Sequence, residues 1–405
     1  MATPIDLPRP PFLRGLRDTV QARLLSPALL RFGFGLLRRF KPLLHVGDTV
    51  ILSTDADVEE VVRRDGEFSV VSTNGARMDA LGVTFVLGMD PSERYTREKA
   101  WLNDTMRADD IPAIRAFVRA RADELLDAAN GKIDAGGAYA RTVALGLVED
   151  YFGVSGPDPT TLMRWTRSLF WDIFLNLDDT AWIHQRARAD SAALAAELRR
   201  QIAEVRSTVS PPDTVLARLT RLPGLDDDDV RRSISGVVLG AVDTTNKAFC
   251  QILDQLLRRP AVLRLAESAA RAGDVAAVSR SVFEGLRFNP HNPFVVRRSL
   301  QPVMLASGRE VPAGCRVLAA TLGAMFDPSV VEQPTQCRPG RTAPDLHFGG
   351  GMHRCQGALI NGVVLPELAT ALLARGNVRL ATRLFGGIRY DGPFPDRFDV
   401  RFGPA

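Results

Sequence analysis

Among 405 residues there is no uninterrupted apolar run near twenty, the length a membrane-spanning helix needs, so none is expected. Histidine is scarce. The five present (His45, His184, His291, His347 and His353) form no HxxxH or HExxH pair, which argues against a zinc or mononuclear iron site built on histidine. The four cysteines (Cys250, Cys315, Cys337 and Cys355) lack CxxC spacing and read as reduced thiols, one of them a candidate ligand or catalytic group. No basic stripe with interleaved aromatics is visible, so nucleic acid is not an expected partner. The opening MATPIDLPRPPF is proline-rich and has no signal-peptide pattern, which leads to the expectation of a cytoplasmic protein whose residues 1–26 are extended. Internal repeats and Gly/Ser linkers are absent, and residues 1–405 read as a single domain.

What is present is ordinary for a chain with a large core: 45% apolar and 24% charged residues, a net charge of +4, and basic residues that are nearly all arginine. Residues 27–44, PALLRFGFGLLRRFKPLL, read as a core-capping helix with snorkelling arginines, with a helix lying on a membrane surface as the alternative. Residues 48–54 read as a strand and 56–64 as a helix capped by Asp55. Helical spacing covers 92–128, 141–154 and 160–207. The longest helical pattern is 225–259, acidic at its start and basic at its end as the helix dipole favours, and continuous it would span about 50 Å. Further helices are expected over 277–288 and 355–375, and short strands over 294–300, 309–312, 315–321 and near the C-terminus. The whole is mainly α with minor β.

Four places carry chemistry. His347–Leu359 reads HFGGGMHRCQGAL and sets Cys355 on a glycine-rich loop running into a helix. Free N–H groups and the positive dipole end there support a thiolate, and glycine lets backbone turn tightly. A cysteine at such a place also fits a thiol with no metal. The second place, GAVDTT (240–245), breaks helix rules within one turn: Gly240 costs about 1 kcal/mol against alanine, and Asp243, Thr244 and Thr245 compete for backbone hydrogen bonds. A polar face with threonines bonding back to the helix is the plainer account. The third is Glu284 and Arg287, an i,i+3 pair, common on surfaces. Arg297 is the fourth, with Arg298 beside it.

Together these resemble the cytochrome P450 family. Phe348, Gly349, Gly351, His353, Cys355 and Gly357 match its haem-ligand loop in order and spacing, and the ExxR pair stands about seventy residues earlier, as in the family. The resemblance implies a triangular, mainly helical fold around a long central helix, and haem b with Cys355 as axial thiolate, a ligand that favours O–O cleavage. It implies haem-propionate contacts from His353, Arg297 and, in the stretch 90–101, Arg94, with Arg97 or Trp101 as alternatives. Gly240 and Ala241 would leave room for O₂, Asp243 would relay protons, and Thr244 would hydrogen-bond to the oxygen. Glu284 and Arg287 would brace the segment before the cysteine loop. Phe85, Phe170, Phe174, Val237, Gly240, Ala241, Thr245, Phe294, Val295 and Phe394 match segments facing the family's substrate pocket. The implied reaction is monooxygenation of a hydrophobic small molecule such as a fatty acid, terpenoid, steroid or polyketide. Electrons would come from a separate ferredoxin or flavodoxin with its NAD(P)H-dependent reductase, and the chain would act as a monomer. The Asp-Thr pair favours O₂ over peroxide, since peroxide-dependent members carry Arg-Pro there. Four positions depart from the pattern: Arg94 stands where a propionate-binding histidine is usual, Gln356 where an apolar residue is usual, Gln336 where an arginine or histidine completes the ExxR network, and Cys337 where phenylalanine is usual.

Overall fold

Helices dominate the computed structural model, which describes residues 26–382 and 386–404. The extended segment expected at 1–26 lies, except for Ser26, outside the described residues. The first helix, α1 (Pro27–Phe40), reverses the expected snorkelling. Arg31 and Arg38 turn inward, Arg38 donating to Gly323 O at 2.8 Å and Phe326 O at 3.0 Å, while Leu29, Phe32, Leu36 and Phe40 are exposed. Only Phe34 of this helix is buried. No helix of the described residues is long and apolar enough to cross a membrane.

A five-stranded sheet follows the expected strands. β1 (Leu43–Val46) and β2 (Thr49–Leu52) form a hairpin, and with β3 (Phe68–Ser69), β4 (Val295–Ser299) and β5 (Arg316–Ala319) the spatial order is β1-β2-β5-β4-β3. The β2–β5 pair is parallel and the others antiparallel. Alternation along β2 and β5 buries Val50, Leu52, Val317 and Ala319 against the helix α2 (Asp55–Arg63). Thr54, not Asp55, caps α2, its hydroxyl accepting from Asp57 N at 3.3 Å. The sheet thereby fixes the end of α2, which carries Val62 and leads to Asp65, both of which touch the cysteine loop.

The pattern over 225–259 is not one helix. It divides into α3 (Asp227–Val238) and α4 (Val242–Leu257). Between them Gly240 N and Ala241 N bond to carbonyls three residues back, Val237 O at 3.3 Å and Val238 O at 3.1 Å, a tighter turn than the α-helix. The two following threonines explain why the ladder opens here: Thr244 Oγ1 donates to Gly240 O, and Thr245 Oγ1 to Ala241 O at 2.7 Å. α4 packs against α5 (Val275–Phe288) and α6 (Ala358–Ala374), so the break, the ExxR pair and the helix after Cys355 share one core.

Candidate functional site

The cysteine loop is held from below by α2. Gly351 has φ +62°, and a Cβ there would stand 1.8 Å from Val62 O. At Gly350 a Cβ would meet Val62 Cγ2 at 2.7 Å. The glycines are thus required by the approach of α2. Gly357 has no such constraint, its nearest neighbour to a Cβ being Cys355 Sγ at 3.8 Å, so it is not a packing glycine; it caps α6. Asp65 fastens the loop further, accepting from Met352 N at 3.3 Å and meeting His353 Nδ1 at 2.8 Å.

Cys355 lines a cavity of about 400 Å³. Its N–H donates to Phe348 O at 2.9 Å, which closes the loop. Burial pushes the thiol up, against the pull of the Gly357 N–H, Lys99 and Arg354. On the walls of the same cavity stand Phe85, Phe170, Phe174, Val237, Gly240, Ala241, Thr244, Thr245, Phe294, Val295, Arg297, Phe348, Gly349 and His353, so the structure brings most of the expected residues together. Phe394 is not among them. It is fully buried behind the wall, its ring 6.2 Å from that of Phe170, because the hairpin Arg389–Asp391/Phe394–Arg397 turns it into the core.

Arg94 is also elsewhere. It is exposed and pairs with Glu98 at 2.7 Å along one helix, Glu93–Thr105. Arg97 lies over Trp101, and neither lines the cavity. His353, expected to donate to a propionate, has both ring nitrogens engaged, Nδ1 by Asp65 and Nε2 by Met89 O at 2.7 Å. Arg297, also expected at a propionate, lines the cavity. It is buried, its Nη1 donates to Val296 O at 3.0 Å, and its Nε has no hydrogen-bond partner among the described residues. A haem therefore fits the residues present: a thiol for the iron on one wall, and an arginine with an unspent buried donor for a carboxylate.

Asp243 faces away from the cavity. Arg167 holds it bidentately, Nε and Nη2 each at 2.8 Å, and Arg141 Nε lies 3.5 Å away. Burial works to raise the carboxyl, but the charges and hydrogen bonds of Arg167 and then Arg141 keep it below the usual range. Of the Asp-Thr pair, Thr244 is the member that reaches the cavity.

The ExxR pair is buried. Arg287 Nε and Nη2 lie 2.9 Å from the two Glu284 oxygens, and Arg287 reaches on to Met325 O at 3.1 Å and Pro334 O at 3.0 Å. Glu284 also accepts from Arg338 N at 2.7 Å and Arg341 Nε at 3.0 Å. The cation missing at Gln336 is thus supplied by Arg341. Gln356 turns to the helix Glu93–Thr105: Lys99 Nζ donates to its Oε1 at 2.6 Å, and its Nε2 donates to Asn103 Oδ1 at 3.1 Å.

Among the cavity residues that escaped the sequence reading are Lys247 and His291. A signal existed for the first. The chain has four lysines among 51 basic residues, and one sits three residues beyond Thr244, on the same helix face.

The family model described as Cytochrome P450 matches residues 161–373. Among curated proteins, tryptamine 5-hydroxylase of Oryza sativa subsp. japonica is 28% identical over 176 residues, covering 35% of this chain and 34% of that protein. Luteothin monooxygenase of Streptomyces thioluteus is 26% identical over 185 residues, covering 45% and 44%. The chain thus matches less than half the length of either relative. The structure resembles that of ligand-free cytochrome P450 TbtJ1 with a TM-score of 0.80 at 21% identity, over 93% of this chain and 98% of that one. It resembles CalO2 with a TM-score of 0.80 at 20% identity, over 92% and 95%.

Proposed function

The chain belongs to the cytochrome P450 family, and from that premise we propose that it is a haem-thiolate monooxygenase that inserts one atom of O₂ into a hydrophobic small molecule. The observation that carries this reading is the meeting of Cys355, Thr244 and the unspent Nε of Arg297 on the walls of one cavity. Bound there, haem supplies the redox chemistry and activates O₂. The protein's part is to bind, orient and exclude. Cys355 would hold the iron, and its own N–H on Phe348 O fixes it in place. Arg297 would meet a propionate, which would give its buried Nε a partner. Thr244 presents a hydroxyl at the opened turn of α3 and α4, where the absence of side chains at Gly240 leaves room. Asp243 is the acid behind that turn, held by Arg167 in this arrangement. Phe85, Phe170, Phe174 and Phe294 supply apolar walls that keep water out and suit an apolar skeleton. Electrons come from a separate ferredoxin or flavodoxin with its reductase, and the enzyme works as a cytoplasmic monomer.

The test is spectroscopic. Haem-loaded protein, reduced under CO, is expected to give the thiolate-type Soret band, and Cys355→Ala to lose it. A histidine-type CO spectrum of the wild type overturns the ligand assignment. Thr244→Ala is expected to lower product formed per NAD(P)H consumed several-fold, with more hydrogen peroxide; unchanged coupling would remove Thr244 from the reaction.

A further inference from the structure

Among the described residues the cavity wall has no aspartate or glutamate, yet it carries two cationic side chains, Arg297 and Lys247. Arg297 is accounted for by the cofactor. Lys247 is not. It extends from α4, and its ammonium has no hydrogen bond or ion pair among the described residues. Asp243, on the same helix, is committed to Arg167 and Arg141. Burial pushes Lys247 down to about 8, which leaves it mostly protonated near neutral pH. An unpaired ammonium in an apolar wall is costly unless a counter-charge meets it.

His291 lines the same cavity, within range of the Lys247 charge. Its ring stands edge-on to Phe170 at 5.8 Å; the side chain also meets that of Asn292, while its buried Nε2 has no hydrogen-bond partner among the described residues. Burial and then the charge of Lys247 hold His291 well below its ordinary range, so it is neutral. In the tautomer protonated at Nε2 it is a second donor. A charged donor and a neutral donor, both unspent, thus line one cavity walled by phenylalanines.

We propose that Lys247 and His291 form an anion subsite in the substrate cavity, which anchors the carboxylate of an otherwise apolar acid. The inference rests on the reading of this cavity as a substrate site and narrows it. A single lysine neutralises a monoanion. A phosphate dianion would bring uncompensated charge against Phe170 and Phe174, whose tilted rings lie 4.8 Å apart. The preferred substrate is therefore a monocarboxylic acid on a hydrocarbon skeleton, its acid end fixed at Lys247 and its chain directed along the aromatic walls.

The test uses haem-loaded enzyme whose thiolate-type CO spectrum has first been confirmed, so that loss of the haem-thiolate reading and loss of this one are separate results. Straight-chain acids from octanoate to hexadecanoate and a series of phenylalkanoates are titrated calorimetrically, each beside its methyl ester. The wild type is expected to bind the best acids about ten- to hundredfold more tightly than their esters, the range of a charge-assisted hydrogen bond. Lys247→Met is expected to remove that preference while ester affinity holds, and Lys247→Arg to keep most of it. Lys247→Gln, which keeps a donor without charge on a side chain one atom shorter, gives the same reading if the methionine variant fails to take up haem. The proposal is overturned if no acid in either series binds, if acids bind no more tightly than esters, or if the uncharged variants keep the preference.

Discussion

Arg341 Nε lies 3.0 Å from Glu284 Oε1, the same oxygen that Arg287 Nη2 holds at 2.9 Å. One buried carboxylate thus serves two arginines from segments 57 and 3 residues away in the chain. Arg287 and Arg341 then distribute their remaining donors to backbone carbonyls between residues 325 and 336, so the irregular segment ahead of the cysteine loop hangs on Glu284. Glu284→Gln leaves both buried arginines without their counter-charge and is expected to cost about 3–5 kcal/mol. Arg341→Leu leaves the Glu284–Arg287 pair intact and is expected to cost about 1.5–3 kcal/mol. Denaturant midpoints of the haem-loaded proteins check the order; equal losses would mean Arg341 is the main brace.

The same carboxylate makes stability depend on acid. Burial acts to raise Glu284, but Arg287, the Arg338 N–H and Arg341 outweigh it and hold the group below the usual glutamate range. A group depressed in the native state stabilises fully above its unfolded value of about 4.3, and that contribution is lost as pH falls through the native value. The stability gap between wild type and Glu284→Gln is therefore expected to be constant near neutrality and to close in strongly acidic buffer. Denaturation at a series of pH values measures it, and a gap that widens on acidification would contradict the sign.

Asp243 offers a test of the same kind on the other side of the cavity. Asp243→Asn leaves Arg141 and Arg167 buried against a neutral amide. It is expected to cost about 3–5 kcal/mol, and the double variant Asp243→Leu, Arg167→Met to recover much of that. If the double variant is as unstable as the two single changes added, the pair is not the source of the loss. Turnover of Asp243→Asn is best compared after stability is matched with added denaturant or lower temperature, so that a chemical role is read apart from the ion pair.

How far the chain could be read without coordinates depended on whether each signal was local. The cysteine loop was legible because its spacing is set by a tight turn within thirteen residues. Most strands and helices followed from periodicity. The division of α3 from α4 was foreshadowed by Gly240 and the threonines, but apolar spacing runs through it unchanged, and only the hydroxyl bonds to Gly240 O and Ala241 O show the ladder opening. Arg94 was misread although its partner Glu98 stands four residues on, a local pair that competes with any distant role. Phe394 and Arg341 were beyond reach for another reason. Which way a hairpin turns its rings, and which arginine of a loop meets a glutamate 57 residues earlier, are decided by tertiary packing.

Gln356, the polar residue beside Cys355, shows how a departure from the usual pattern acquires a cause. Its amide neither floats nor serves only its neighbours in the loop. It accepts from Lys99 Nζ and donates to Asn103, so it joins the cysteine loop to the helix Glu93–Thr105. Burial pulls Lys99 down, opposed by the charge of Cys355, so an ammonium on this face needs an acceptor. Gln356→Leu, which restores an apolar residue, is expected to destabilise the haem-loaded protein by about 1 kcal/mol, because the half-buried ammonium loses its partner. Lys99→Met in that background is expected to return most of the loss. The Soret position of the ferric protein separates this account from direct action on the sulfur. A bridge between loop and helix predicts lowered stability with little spectral change, whereas an amide bonded at the sulfur predicts a displaced band at near-normal stability.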